Sequence, residues 1–153
     1  MKIVADENLA FTDYFFSEFA DIRHCPGRSL MAQDVQDADA LLVRSVTQVN
    51  EALLQNSSIK FVGSATIGTD HLDIAALEQH GIQWSNAAGC NAQAVAEYVI
   101  TALLHVRPEL VDANATFSLG IVGLGNVGTR LAYMAKLLGW RVIGYDPLVQ
   151  RTQ

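Results

Sequence analysis

Residues 119–128 read LGIVGLGNVG, and the reading of this stretch sets the fold. An apolar run at 119–122 leads into Gly123-Leu124-Gly125-Asn126-Val127-Gly128, a G-x-G-x-x-G turn that opens a helix. Each glycine has a backbone reason. Gly123 permits the tight turn, Gly125 lets the chain approach a pyrophosphate, and Gly128 lets the helix lie close on the strand. Amides at the helix start, around Asn126 and Val127, face an anion along the helix dipole. The spacing predicts a helix over 127–138, with Val127, Leu131, Met134, Ala135 and Leu138 on one face and Gly139 as its cap. A second strand is predicted over 141–145, and Asp146 ends it 18 residues beyond Gly128. A carboxylate there accepts ribose hydroxyls and repels a 2′-phosphate, so NAD is the expected cofactor rather than NADP. The same turn also occurs without a ligand. The strand before it, the amphipathic helix after it and the acid at the next strand end together favour a nucleotide site.

Upstream, short apolar runs alternate with helix-like segments, the rhythm of a parallel sheet with helices on its faces. Strands are predicted at 2–5, 21–25, 40–44, 59–64 and 82–85, and helices at 12–19, 31–36, 50–54 and 72–79. Gly81 fits a helix end just before a strand. Five strands in this rhythm suggest a flavodoxin-like α/β domain, although strand order is not readable from sequence. Residues 92–106 place Val95, Val99, Ala102, Leu103 and Val106 on one helical face, and Arg107-Pro108 stops that helix. The polar stretch 112–116 reads as a linker. The expected organisation is therefore a flavodoxin-like substrate domain at 1–91, a helix between units at 92–110, and the first βαβ unit of a Rossmann domain at 111–153.

Composition narrows the function. Half of the 153 residues are apolar, enough for a sizeable core, and the net charge is −6. Without a basic run, binding to a nucleic-acid backbone has no support. The opening MKIVADEN lacks the apolar stretch of a signal peptide, and the most apolar window, 92–106, contains Glu97 and is short for a bilayer. Cys25 and Cys90 have neither metal nor redox spacing. A soluble, cytoplasmic protein without a metal or a membrane partner is expected.

The segments VRSVTQVNEALL (43–54), KFVGSATIGTDHLD (60–73), NAAGCNAQAVAEYV (86–99) and GIVGLGNVGTRL (120–131) resemble the D-isomer-specific 2-hydroxyacid dehydrogenases. Pairing VRS with GCNA is narrower than the general pattern of that family. The resemblance implies a small phosphorylated hydroxy acid as substrate. The reaction implied is oxidation of 4-phospho-D-erythronate at C2, with hydride passing to NAD, in a cytoplasmic homodimer of the vitamin B6 pathway. Another D-2-hydroxy acid, such as phosphoglycerate, is the alternative, as is a non-catalytic NAD-binding module if these residues are the whole chain.

By the same resemblance Ser45 and Thr66 contact the substrate. Arg44 joins them on chemical grounds, since a guanidinium at the carboxyl end of a strand can hold a phosphate or carboxylate. A surface ion pair is the alternative for Arg44. Thr66 sits among Gly63 and Gly68, where open amides suit an anion, and a helix cap, shared with Thr69 or Asp70, is its alternative. Asn91 reads as the N-cap of the long helix. The family supplies a His paired with a Glu, plus an Arg, well downstream of the ribose-binding acid. This sequence ends seven residues after Asp146, so those catalytic groups are expected beyond its C-terminus and none is assigned within it. His71, between Asp70 and Asp73, is expected to be solvated or capping. His24, His80 and His105 read as structural, and Cys90 as a small core thiol.

Overall fold

Residues 1–112 and 116–148 are described by the computed structural model, in which the chain forms two compact units, Met1–Ala88 and Gly89–Gln153. The first is built on five parallel strands: β1 (Lys2–Asp6), β2 (Asp21–Cys25), β3 (Ala40–Val43), β4 (Phe61–Ser64) and β5 (Gln83–Asn86). Their spatial order is β2-β1-β3-β4-β5, the flavodoxin-like order, which reverses direction between β1 and β3. Parallel neighbours need crossovers, and the short helices α1 (Thr12–Phe16), α2 (Ala32–Val35), α3 (Glu51–Leu54) and α4 (Ile74–Gln79) lie along them.

Alternation along β1 shows why both sheet faces are buried. Val4 packs with Leu41, Val43, Val62, Leu54 and Leu77 on one side, while Ile3 and Ala5 pack with Ala40, Phe16 and Leu42 on the other. Most predicted elements lie within a residue or two of the observed ones. The helix expected at 12–19 stops at Phe16, and that expected at 72–79 begins only at Ile74. Asp73 explains the second difference, because its side chain accepts a hydrogen bond from the Ala76 amide at 3.1 Å and caps the helix there. Gly81 (φ +66°) closes α4, as expected of a left-handed cap, with the Ile82 amide bonded to the Leu77 carbonyl at 2.8 Å.

The second unit contains α5 (Ala92–Val106), a 3₁₀ turn (Pro108–Val111), β6 (Ser118–Val122), α6 (Asn126–Leu137) and β7 (Arg141–Tyr145), with β6 and β7 paired in parallel. Ala96 and Ile100 of α5 are buried with Leu110, Ile121, Leu131, Ala135 and Trp140. Trp140 meets Phe117 edge to face at 4.9 Å. The long helix thus packs within this unit, which begins at Gly89. Of the linker read at 112–116, residues 113–115 lie outside the described residues, as do residues 149–153 of the expected nucleotide unit. Among the described residues no helix is long and apolar enough to cross a membrane.

Candidate functional site

The carboxyl ends of β3 and β4 carry the candidate substrate residues. Open parallel sheets bind ligands at this edge, beside the point where strand order reverses. Arg44 and Ser45 follow β3, and the Thr47 amide closes their turn onto the Arg44 carbonyl at 3.1 Å. Ser45 is exposed and Arg44 half-buried. The segments after β3 and β4 are then drawn together by a parallel bridge between Val49 and Leu72, with the Val49 amide on the His71 carbonyl and the Asp73 amide on the Val49 carbonyl, both at 2.8 Å. A cleft of about 390 Å³ lies beside the Thr47 turn, lined by Gly27, Arg28, Gln48 and Asn50 among others.

Arg44 makes the ion pair that sequence offered as its alternative, though with a buried rather than a surface carboxylate. Its Nε donates to Asp6 Oδ1 at 3.0 Å, and the Asp6 side chain is fully buried at the end of β1. Burial alone pushes the Asp6 carboxyl up, yet the amide of Asn8 and the Arg44 guanidinium outweigh it and hold the group below the usual range. Asp6 Oδ2 has no hydrogen-bond partner among the described residues. Sequence reading missed Asp6 as part of this edge.

Thr66 lies in the loop after β4. Its hydroxyl is 2.8 Å from Ser64 Oγ and 3.4 Å from the Gly68 carbonyl, and its own carbonyl accepts from the Ala87 amide at 3.0 Å. Asn86 Nδ2 donates to the Ile67 carbonyl at 2.7 Å, fixing the loop to the end of β5. Thr66 caps no helix, since Asp73 does that work for α4.

His71 is the main correction. It is 5% exposed rather than solvated, and its Nε2 lies 2.8 Å from Ser64 Oγ. Burial lowers the imidazole pKa, against a smaller opposing pull from Asp70. Cys90 is corrected in the opposite sense: it is exposed, in the turn that follows Gly89 (φ +77°) and precedes α5. Asn91 does occupy the N-cap position of α5, but its side chain makes no capping bond. His24 and His80 pair with Asp13 and Glu51, each at 2.9 Å.

The glycine turn lies wholly in the second unit. Gly123 takes φ +92°, open to glycine and strained for other residues. A Cβ on Gly128 would sit 1.9 Å from the Gly123 carbonyl oxygen, whereas one on Gly125 would meet nothing within 4 Å. The first turn of α6 closes with the Thr129 amide on the Gly125 carbonyl at 3.0 Å, so the amides of Asn126, Val127 and Gly128 precede the helical ladder. Asp146 braces this turn from β7. Its Oδ2 accepts from the Leu124 amide at 2.7 Å and its Oδ1 from the Leu148 amide at 2.9 Å. Open space at Gly125, amides at a twelve-residue helix start and a carboxylate at the next strand end suit a dinucleotide.

Comparison with known proteins agrees with this architecture. The D-isomer specific 2-hydroxyacid dehydrogenase catalytic domain matches residues 7–146. Erythronate-4-phosphate dehydrogenase of Acinetobacter baumannii is 75% identical over 150 residues, which are 98% of this chain and 42% of that enzyme. The chain thus spans less than half the length of the curated relatives it matches. The fold is shared with NAD⁺-bound 3-phosphoglycerate dehydrogenase of Entamoeba histolytica (TM-score 0.73, 24% identity, 99% of this chain and 55% of that one). It is shared also with D-2-hydroxyisocaproate dehydrogenase (TM-score 0.77, 20% identity, 100% of this chain and 55% of that one). A five-stranded sheet in flavodoxin-like order, a following glycine turn backed by an acid, and a family match over nearly the whole sequence place this chain in the D-isomer-specific 2-hydroxyacid dehydrogenase family.

Proposed function

We propose that the protein carrying this chain oxidises 4-phospho-D-erythronate at C2 to the 2-oxo acid, with NAD as hydride acceptor, in the formation of pyridoxal phosphate. The observation that carries this reading is the 75% identity to erythronate-4-phosphate dehydrogenase across 98% of the chain. In this reading the first unit is the substrate domain and the second begins the nucleotide domain. Arg44, Ser45 and Thr66 hold the anionic groups of the substrate through charge-assisted hydrogen bonds. Gly123, Gly125, Asn126, Val127 and Gly128 hold the pyrophosphate of NAD, and Asp146 its ribose.

Bound there, NAD supplies a hydride acceptor. The chain's own residues bind and orient. Guanidinium and hydroxyl donors after β3 and β4 fix the acid, and pre-paid orientation of this kind lowers the barrier without any proton moving at these residues. The base that takes the C2 hydroxyl proton and the cation that holds the carboxylate belong to other parts of the complete protein. That protein acts in the cytoplasm as a homodimer, with no nucleic-acid or membrane partner.

The test is substrate profiling of the complete protein, following NADH formation with 4-phospho-D-erythronate and 3-phosphoglycerate side by side. A higher kcat/KM for 4-phospho-D-erythronate is expected. A preference for 3-phosphoglycerate would replace this substrate, and activity with neither would leave an NAD-binding module.

A further inference from the structure

The buried His71 has no part in the reading above, yet it ends a chain of hydrogen bonds that begins at Thr66. Three contacts define the chain: His71 Nε2 to Ser64 Oγ at 2.8 Å, Ser64 Oγ to Thr66 Oγ1 at 2.8 Å, and Thr66 Oγ1 to the Gly68 carbonyl at 3.4 Å. Each hydroxyl has one proton to give, and a carbonyl oxygen only accepts. With the 3.4 Å contact taken as a donation from Thr66 to Gly68, Thr66 accepts from Ser64. Ser64 has then spent its proton and must accept from His71, so Nε2 carries hydrogen. The order runs from the imidazole N–H outward, and its last donor is the Thr66 hydroxyl. That final bond is long, so its hydrogen is readily given up to a better acceptor.

We propose that His71 is a positioning residue for the substrate: acting through Ser64, it keeps the Thr66 hydroxyl as a donor aimed at an anionic oxygen. The inference rests on the reading of Thr66 as a substrate contact. Its geometry is well fixed, because His71 and Ser64 are each 5% exposed and the His71 carbonyl is bound by the Val49 amide. Burial lowers the imidazole pKa and so favours the neutral ring, and the relay needs no charge beneath the sheet edge. Bonds along such a chain polarise one another, which strengthens the outermost donor. If His71 instead presented a bare Nε2, Ser64 would donate inward and Thr66 would be drawn to donate to Ser64, away from the ligand.

In the complete enzyme, His71→Leu and Ser64→Ala are each expected to raise KM for 4-phospho-D-erythronate roughly tenfold, the effect of about one hydrogen bond to a charged group. The KM for NAD should not change, and the double variant should be no worse than either single one. His71→Gln, which retains a terminal N–H donor, should recover most of the loss. Thr66→Val sets the reference. If Thr66→Val raises KM while His71→Leu and Ser64→Ala do not, the relay is wrong and the Thr66 contact survives. If Thr66→Val is silent, the contact fails and the relay with it. Independently of any variant, imidazole ¹⁵N shifts of the wild-type chain should report the Nε2–H tautomer at His71, and the Nδ1–H tautomer would overturn the proposal.

Discussion

Arg44 Nε donates to Asp6 Oδ1 at 3.0 Å, a contact 38 residues apart in sequence that joins the ends of β1 and β3 where the sheet order reverses. Only one of the two groups is buried, and this asymmetry sets what its loss would do. Removing Arg44 leaves a buried carboxylate supported only from Asn8 among the described residues, whereas removing Asp6 leaves a guanidinium that can still reach water. Arg44→Ala is therefore expected to cost about 3 kcal/mol and Asp6→Ala about 1–2 kcal/mol, measured by urea denaturation. Equal costs would mean that the pair behaves as a surface contact.

The acid limb of stability follows from the same carboxylate. Its pKa is lowered in the folded state, so it contributes stability above the ordinary carboxylate range and loses it as pH falls through the lower folded value. Asp6→Asn should flatten this part of the pH–stability curve. An unchanged acid limb in the variant would sink the assignment.

His71 acts at higher pH by the mirrored argument. Its folded pKa lies below the ordinary value of 6.5, so below that pH the unfolded chain takes up a proton that the folded chain resists. Stability should decline from that point down to the folded pKa, and His71→Gln should remove the decline. Thermal melts between neutral and mildly acidic pH would show it.

These two residues also show what sequence could and could not tell. The strands were legible because Val4 against Ile3 and Ala5 is a local alternation, and the nucleotide turn was legible because only glycine meets the backbone demands at Gly123 and Gly128. Strand order was not, because pairing β1 with both β2 and β3 is a long-range choice. His71 was misread for the same reason. It stands just ahead of a short helix, which suggests exposure, but the bridge from Val49 to Leu72 turns that segment inward. Asp6 drew no notice in the sequence because its partner, Arg44, lies 38 residues along the chain.

Gly128 admits no side chain. A methyl group there would overlap the Gly123 carbonyl oxygen, a backbone atom that cannot rotate away. Gly128→Ala is expected to destabilise the second unit by about 3 kcal/mol, the upper range for overpacking, and to abolish NAD binding. Gly125→Ala, which meets nothing, should keep the fold and weaken NAD binding by obstructing the ligand alone. Calorimetric titration of both variants with NAD, alongside their melting curves, separates steric failure of the fold from steric failure of the site.

Asp146 joins cofactor choice to the shape of the turn. The carboxylate that would repel a 2′-phosphate also accepts the Leu124 amide at 2.7 Å. Asp146→Asn keeps an acceptor for that amide but removes the charge, so the NAD preference over NADP should fall at least about tenfold while stability drops by only about 1 kcal/mol. Asp146→Ala should lose both. Preference unchanged in the Asn variant would show that discrimination lies elsewhere.

The two units should also differ in stability when the 153-residue chain is studied alone. The first has a five-stranded sheet whose central β1 and β3 are covered on both faces. Among the described residues the second pairs only β6 with β7, and Val122, Ile143 and Tyr145 on those strands are 86%, 54% and 64% exposed. Two strands with an uncovered apolar face have little burial to offset chain entropy. Amides of β6 and β7 are therefore expected to exchange with deuterium at least about a hundredfold faster than those of β1 and β3, through openings confined to the second unit. Matching rates in all four strands, with one melting transition for the whole chain, would mean that the units unfold together and that this difference in packing does not govern stability.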